Sequence, residues 1–162
     1  MTVLRVFLLS LCVALPVSAA AQGTQVAFGD LRQDPNAPVE VTADTLSVSQ
    51  TDGTATFTGN VMVGQGSMRM SAGKVLVIYR EGGDGIDQLQ ASGGVTLVSN
   101  QDAAEASKAN YNIKDGTIVM TGNVLLTQGA SALSAQRMTV DIDAGTAHMS
   151  GRVKTVLNSG NN

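Results

Sequence analysis

Few side chains in this 162-residue sequence are of a type, or at a spacing, that supports catalysis. His148 is the only histidine, and it lies between Ala147 and Met149 in a stretch where apolar and polar residues alternate. A serine–histidine–aspartate triad would need a distant acid and a serine on a sharp turn, and the sequence has no such motif. The pattern favours an ordinary polar strand position for His148.

The acidic residues do not have the spacing of a metal site or of an acid–base pair. Asp141 and Asp143 fall on one face of a predicted strand, and Asp84 and Asp87 flank a predicted turn. Neither arrangement matches a calcium loop or paired catalytic carboxylates. A calcium-binding nonapeptide array would need its glycine-rich turn to be repeated, and the run 82–85 occurs once. The sequence therefore predicts a protein that is not an enzyme and that holds no metal or cofactor.

The first 21 residues have the composition of a secretory signal peptide. Arg5 precedes an apolar run over 6–17, which small residues follow. This run is too short to span a bilayer, so we predict a cleavable signal, a periplasmic location and cleavage after Ala19 or Ala21. Cys12 is the only cysteine of the sequence and lies within this run. After cleavage the mature chain would therefore have no thiol nucleophile, disulfide or cysteine metal ligand.

Composition and charge indicate one globular domain and argue against nucleic acid as a partner. The chain is 43% apolar and 14% charged, with 18 glycines and only 3% aromatic residues, which favours many tight turns and thin strands. Loss of Arg5 with the signal leaves nine basic and thirteen acidic residues, a net charge of 9 − 13 = −4. Such a charge is unfavourable for binding phosphate backbones.

Internal repeats are visible at two levels. The segment 52–66 returns 63 positions later as 115–129. Within each half, a glycine signature steps by 34, 29 and 29 residues and an alanine signature by 29, 34 and 29. The five extra residues match the glycine-rich string 81–85, so we predict an enlarged turn there and four repeats of about 29 residues. The signature positions are Gly59, Gly93, Gly122 and Gly151, and Ala43, Ala72, Ala106 and Ala135.

Each repeat is predicted to form four short strands, which gives an all-β fold of about sixteen strands. In the first repeat the strands are expected at 39–42, 45–49, 54–58 and 61–64. Apolar residues keep a period of two, so every strand has one apolar face. The stretch 102–105 has only alanines as apolar residues, and a thin or frayed strand is expected there.

The predicted domain covers 39–157, between a polar leader at 22–38 and a flexible polar tail at 158–162. Stacked repeats share a continuous apolar core, which is either packed shut or splayed into a groove that holds acyl chains, and the residues leave both alternatives open. Methionines at inward positions, which adapt to irregular apolar shapes, are compatible with either; they are Met68, Met70, Met120, Met138 and Met149.

Both ends of the stack are predicted to have unpaired strand edges, at 39–42 and 153–157. Exposed edges pair with other strands, so head-to-tail association is expected through Val39, Val41, Val153 and Val156. Three repeats also have a base at one position, Lys74, Lys108 and Arg137, with Thr45 in the first. These bases are interpreted either as solvated charges that limit aggregation or as a rim that faces ligand phosphates.

The sequence resembles the OstA-like, or LptA, family of periplasmic lipopolysaccharide-transport proteins. The resemblance rests on a signal peptide followed by Ala-Asp-x-Leu at 43–46, Phe-Thr-Gly-Asn-Val at 57–61 and a strand that ends at Tyr79, and it extends from about Val39 to Leu157. It implies a twisted, slit-like open β-jellyroll and a role as part of a bridge that carries lipopolysaccharide from the inner to the outer membrane.

By this resemblance the lipid A chains would lie in the apolar groove. The implied partners are lipopolysaccharide, further copies of the chain, and same-fold domains of the inner-membrane tethered and outer-membrane components. A structural or adhesive secreted β-repeat protein with a closed core is the alternative. The groove residues would be Leu46, Val48, Phe57, Val61, Met68, Met70, Val75, Val77, Leu97, Tyr111, Met120, Val124, Leu126, Met138, Val140, Met149 and Val153.

Overall fold

The computed structural model describes residues 24–28, 37–82 and 85–156, and within these ranges the chain consists of β-strands and turns. The predicted signal peptide, most of the predicted leader and the tail 158–162 lie outside the described residues. The strands are β1 (Thr24–Ala27), β2 (Glu40–Thr42), β3 (Thr45–Ser49), β4 (Thr54–Gln65), β5 (Met68–Tyr79), β6 (Ile86–Ser99), β7 (Asp102–Asn112), β8 (Thr117–Gln128), β9 (Ser131–Asp141), β10 (Thr146–Ser150) and β11 (Lys154–Val156).

All eleven strands belong to one antiparallel sheet. Its order is β1-β10-β9-β8-β7-β6-β5-β4-β2, with β3 also paired to β4 and β11 also paired to β9. From β4 to β9 each strand pairs with the next one in the chain, as expected for a meander, and the connections are two to four residues long except for the six residues 80–85 between β5 and β6. The predicted all-β class is therefore confirmed.

The strand count differs from the prediction: the described residues form eleven strands rather than sixteen. The expected strands 54–58 and 61–64 are two parts of β4, which continues through a register shift between Thr58 and Val61. Gly59 and Asn60 have φ values of 81° and 46°, so the pair forms a β-bulge rather than a turn. The same residue types serve turns and bulges, which is why the glycine signature indicated a strand end.

The bulges of neighbouring strands lie side by side and form one line across the sheet. Register shifts occur near the middle of every pair from β4·β5 to β8·β9. The four signature glycines, Gly59, Gly93, Gly122 and Gly151, have φ values of 81°, 82°, 82° and 80°. A bulge bends and twists its strand, so a line of bulges bends the whole sheet.

This line divides the sheet into two half-sheets. The first comprises 24–27, 45–49, 54–58, 74–79, 86–92, 108–112, 117–121, 137–141 and 146–150, and the second comprises 40–42, 61–65, 68–72, 95–99, 102–106, 124–128, 131–135 and 154–156. Apolar side chains of both enclose one continuous core, which includes Val75 and Met120 from the first and Leu97 and Leu126 from the second. The half-sheets therefore face each other across the interior.

Strand β1 lies in the segment that the sequence indicated only as a polar leader. It pairs with β10 from Thr24–Met149 to Ala27–Thr146, and the following Phe28 is 0% exposed. No repeat signature marks this strand, and its pairing partner lies more than a hundred residues further along the chain.

Strand β7 is complete, in contrast to the frayed strand expected at 102–105. Asp102 to Glu105 are paired on one side with β6 and on the other with β8. Ala104 is fully buried between Leu97 and Leu126, which flank it in the sheet. The larger side chains of the two neighbouring strands therefore bury this part of β7, so its own alanines are large enough to complete the core.

Candidate functional site: the apolar interior

Most of the residues predicted to line a groove are brought together on the inner face of the folded sheet. Phe57 and Val153 are partly buried and pack against this interior. Leu46 and Val48 differ, because they are exposed. The buried members are Val61, Met68, Met70, Val75, Val77, Leu97, Tyr111, Met120, Val124, Leu126, Met138, Val140 and Met149.

The inner residues form continuous rows that run across the strands. Directly opposed residues of paired strands share one face of a sheet, so the register defines each row. One row on the first half-sheet crosses eight strands, a length of about 34 Å at about 4.8 Å per strand. Its members are Leu46, Phe57, Val75, Ala91, Ala109, Met120, Met138 and Met149.

A second row faces it from the other half-sheet. It runs from Val41 to Leu133 and is apolar at every position. Its members are Val41, Val63, Met70, Leu97, Ala104, Leu126 and Leu133. Two apolar rows that face each other along the stack match the shape of extended hydrocarbon chains, which bind by apolar burial without directional contacts.

The interior continues past its covered part at the β3 edge. Leu46 and Val48 are opposite Phe57 and Ala55, so they point to the inner face, yet they are 56% and 61% exposed. No strand of the described residues covers them from the second half-sheet, whose edge strand β2 ends at Thr42. The apolar face is therefore open to solvent at this end of the sheet.

Polar side chains line the interior where the strands end, away from the bend. The Tyr111 hydroxyl on the first half-sheet donates a buried hydrogen bond of 2.8 Å to Gln65 Oε1 on the second. Gln65 Nε2 in turn donates to the Ala37 carbonyl at 3.1 Å. Burial raises the pKa of Tyr111, and the negative charge of Asp143 raises it further. This contact links the two half-sheets on the side opposite the bend.

Gln128 makes a similar connection, 63 positions after Gln65. Its side-chain amide donates to the Ala27 carbonyl at 2.6 Å and to Asp102 Oδ2 at 2.8 Å. Neither glutamine was predicted as a site residue, although each occupies an inward position just before a turn in a repeated segment. The nearby Ser99 hydroxyl is fully buried and has no hydrogen-bond partner among the described residues.

The three repeated bases lie in one row, but on the outer face of the first half-sheet. The register joins Thr58, Lys74, Ser92, Lys108, Thr121 and Arg137 in sequence across six strands. Lys74, Lys108 and Arg137 are all exposed, and the row runs beside the bend. An anion bound to these bases would therefore lie outside the interior, on the other side of the sheet.

The predicted edge residues lie near the two ends of the sheet. Val39, Val41 and Val153 are partly buried against the core, whereas Val156 in β11 is exposed. At the same end, β1 covers part of β10, so the chain itself fills a portion of the predicted C-terminal edge. The β2 and β3 edge has no such cover among the described residues.

The polar residues that the sequence offered as catalytic candidates lie in different strands and turns. His148 is an exposed strand residue opposite Thr139 and Gln25, and Asp141 accepts a hydrogen bond from the Ala144 amide in a turn. Within 24–28, 37–82 and 85–156, no group of three or more His, Cys, Asp or Glu side chains is arranged to hold a metal ion. The same ranges contain no helix that is long and apolar enough to cross a membrane.

Together, the single folded antiparallel sheet and its core define a class of β-proteins whose candidate site is the apolar interior between two half-sheets. The same fold is found in LptH of Pseudomonas aeruginosa, described as the LptA-homologous periplasmic component of the conserved lipopolysaccharide transport device. That structure matches with a TM-score of 0.70 at 16% sequence identity, over 78% of this chain and 99% of that chain.

The sequence comparison identifies the family. Residues 40–146 match the family model described as "LptA/(LptD N-terminal domain) LPS transport protein", and the chain belongs to this family. It is 31% identical over 126 residues to the lipopolysaccharide export system protein LptA of Escherichia coli K12, covering 74% of this chain and 66% of that protein. It is also 32% identical over 120 residues to the uncharacterized protein R00383 of Rhizobium meliloti, covering 69% and 64%. The chain thus spans slightly less than two thirds of the length of these relatives.

Proposed function

We propose that this protein is a periplasmic, non-enzymatic carrier of lipopolysaccharide that holds the lipid A acyl chains between its half-sheets. The observation that carries the proposal is the pair of facing apolar rows, which continue across the sheet in a chain of this family. A transport ligand with acyl chains needs a long apolar surface shielded from water, and these rows have that form.

Acyl chains would enter by separating the half-sheets, because the inner residues are packed against each other in this structure. Burial of one methylene group stabilises the complex by about 0.8 kcal/mol. Roughly ten methylenes would therefore offset about 8 kcal/mol of the free energy needed to separate the half-sheets. The exposed Leu46 and Val48 offer a first apolar contact at the open end. Methionines in the rows adapt to chains of different shape.

We infer that copies of the protein associate head to tail and so extend the interior into a bridge between the two membranes. Among the described residues, no further strand pairs with the outer edges of β2 and β3, and β11 presents Val156 at the other end. Strand addition at such edges is a common mode of association. The same edges would receive the same-fold domains of the inner-membrane tethered and outer-membrane components.

The periplasmic location is proposed from the signal-peptide pattern of residues 1–21 together with family membership. Analysis of the mature N-terminus by mass spectrometry tests it. A start at Ala20 or Gln22 is expected, and an intact N-terminus in the secreted fraction would contradict the signal peptide.

A structural or adhesive protein with a closed interior is the second candidate, and the tight packing of the inner residues favours it. The two candidates differ in what a charge inside the sheet does. In a closed core Met120→Lys would unfold the protein, whereas in a carrier it would abolish lipid binding with a smaller loss of stability.

Photo-crosslinking in cells tests the carrier function directly. A photoreactive amino acid at Phe57 or Met120 is expected to crosslink to lipopolysaccharide, and the matched control is Leu125, an exposed residue between the buried Val124 and Leu126. Equal labelling from the interior and control positions would contradict an internal acyl site. Depletion of the protein in its native cell is expected to leave lipopolysaccharide at the inner membrane, and normal export would contradict the transport role.

A further inference from the structure

The outer face of the first half-sheet has a concave surface that the proposed carrier function does not use. It is a trough of about 860 Å³, on the opposite side of the sheet from the apolar interior. The row of exposed bases forms one of its borders, with Lys74, Lys108 and Arg137 all among its lining residues. Alternate strands carry these bases, so neighbouring ones are about 10 Å apart along the row.

The middle of the trough is lined by side-chain amides of β6 and β7, and the apolar Leu76 of β5 and Val119 of β8 flank them. Gln88 Nε2 donates to Asn110 Oδ1 at 2.6 Å, and Gln90 Nε2 lies 3.4 Å from Gln88 Oε1. The first contact connects β6 with β7, the second lies within β6, and both orient the amides. They leave the Asn110 amide nitrogen and the Gln90 carbonyl oxygen without a hydrogen bond among the described residues. Amide groups both donate and accept, which suits the hydroxyl groups of a sugar.

The charge of the trough is opposite in sign to that of the chain. Its lining includes three bases and one acid, Asp115, whereas the chain has a net charge of −3. Within the described residues, Lys74, Lys108 and Arg137 have no ion-pair or hydrogen-bond partner. Solvated charges that only limit aggregation would not need to border a concave, amide-lined surface. Their placement instead matches a ligand that brings negative charge.

We propose that this outer trough binds a phosphorylated saccharide. The bases bind the phosphate groups by charge-assisted hydrogen bonds, and the amides of Gln90 and Asn110 bind sugar hydroxyls. The site is separate from the interior, so it does not depend on whether acyl chains bind there. A sugar moiety attached to the interior ligand and a separate free saccharide have the same chemistry at this surface.

Titration of the full-length mature protein with chemically deacylated lipopolysaccharide tests the proposal. This probe keeps the phosphorylated oligosaccharide and has no acyl chains for the interior. Amide chemical shifts in wild-type protein are expected to change at 74, 90, 108 and 110 rather than at inner residues. The same probe treated with phosphatase, and inorganic phosphate alone, are both expected to bind more weakly.

Charge-matched variants separate a specific site from general attraction. The triple variant Lys74→Gln, Lys108→Gln, Arg137→Gln is expected to bind deacylated lipopolysaccharide about tenfold more weakly or worse. The control triple Arg80→Gln, Lys114→Gln, Lys154→Gln removes the same charge outside the trough and should retain binding. Ser92→Glu is a second test that needs only one substitution. It places an acid between Lys74 and Lys108 in the row and should also weaken binding of deacylated lipopolysaccharide.

Three results would overturn the proposal. Shift changes confined to the interior would place the saccharide elsewhere, and equal losses in the two triple variants would reduce the effect to net charge. Binding of inorganic phosphate as tight as that of the deacylated probe would leave an anion site without sugar recognition. Intact lipopolysaccharide compared with the deacylated probe in the trough variants then distinguishes an attached sugar from a free one, while crosslinking at Met120 reports separately on the carrier function.

Discussion

Tyr111 connects the two half-sheets through one side-chain hydrogen bond, and its loss should be measurable in stability. Tyr111→Phe leaves the buried Gln65 Oε1 without its donor, while Gln65 Nε2 keeps the Ala37 carbonyl. We expect the free energy of unfolding to fall by about 1–3 kcal/mol, measured by urea denaturation. Tyr79→Phe is the matched control, since Tyr79 is 39% exposed and should change stability by less than about 0.5 kcal/mol. Equal effects would contradict a specific link.

The same hydroxyl predicts a dependence of stability on alkaline pH. Burial, and then the charge of Asp143, raise the pKa of Tyr111 above its ordinary value of 10.0. The folded state therefore holds the phenol proton more tightly than the unfolded state does. This contribution to stability is complete below about pH 10 and is lost as the pH rises through the folded-state pKa. Urea midpoints between about pH 8 and 11 should decline less in Tyr111→Phe than in Tyr79→Phe, which keeps Tyr111, and parallel declines would contradict this.

At the scale of elements, the bulge glycines are needed both for their backbone conformation and for the space above them. Gly122 has a φ of 82°, and a Cβ there would lie 2.8 Å from Ser107 Oγ. Gly122→Ala should therefore cost about 3 kcal/mol or more, because the left-handed penalty and a steric clash add. Gly129→Ala is the control, since Gly129 has a φ of 54° with open space around it, and it should cost about 1–2 kcal/mol. Thermal and urea unfolding of the two variants measure the difference.

One result would contradict this steric explanation of the Gly122→Ala variant. Similar losses in Gly122→Ala and Gly129→Ala would show that the close approach of Ser107 is relieved without cost. Replacing Ser107 by glycine removes the clashing side chain and also the 3.1 Å hydrogen bond that its hydroxyl donates to the Gly122 carbonyl, so Ser107→Gly alone is the reference. Gly122→Ala should cost less in the Ser107→Gly background than in the wild type. An equal cost in both backgrounds would assign the whole effect to the backbone at Gly122.

The strands themselves were predictable, because a period of two places one apolar face on each, as in Met68 and Met70 of β5. The bulges were not, since Gly59-Asn60 has the composition of a turn and only the pairing of both flanks with β5 makes it part of one strand. The two signatures nevertheless mark positions that meet in the folded sheet. The residues that follow the signature alanines, such as Ser107 and Gln136, lie against Gly122 and Gly151 of the next bulge.

The candidate site was predictable to a similar degree. Thirteen of its residues are buried together, because inward positions follow directly from the alternation. The contacts between half-sheets, such as Gln65 with Tyr111, depend on how far the sheet bends and have no local signal. Strand β1 depends on a partner more than a hundred residues away, which no short pattern indicates. The placement of the bases on the outer face likewise required the register.

At the scale of the whole molecule, the two ends of the sheet are unlike, and this gives a proposed assembly its direction. One end has strands β2 and β3, which no other strand of the described ranges covers, with Leu46 and Val48 exposed on the inner face. The other end has β11, and there strand β1 of the same chain pairs with β10. A second copy that pairs with β3 would cover both apolar side chains and continue the interior row beyond Leu46. Association would then bury apolar surface in addition to forming backbone hydrogen bonds.

This difference between backbone pairing and interior continuity can be measured. The double variant Leu46→Lys, Val48→Lys places charges where the interiors of two copies would meet, and it should weaken self-association by at least about tenfold in analytical ultracentrifugation. Both side chains are more than half exposed in the single chain, so the stability of the monomer should change little. Ser47→Lys is the control on the same strand, opposite Thr56 and therefore on the other face. If Ser47→Lys weakens association as much as the double variant, pairing rests on the β3 backbone and its charge alone, and the interiors of successive copies do not join there.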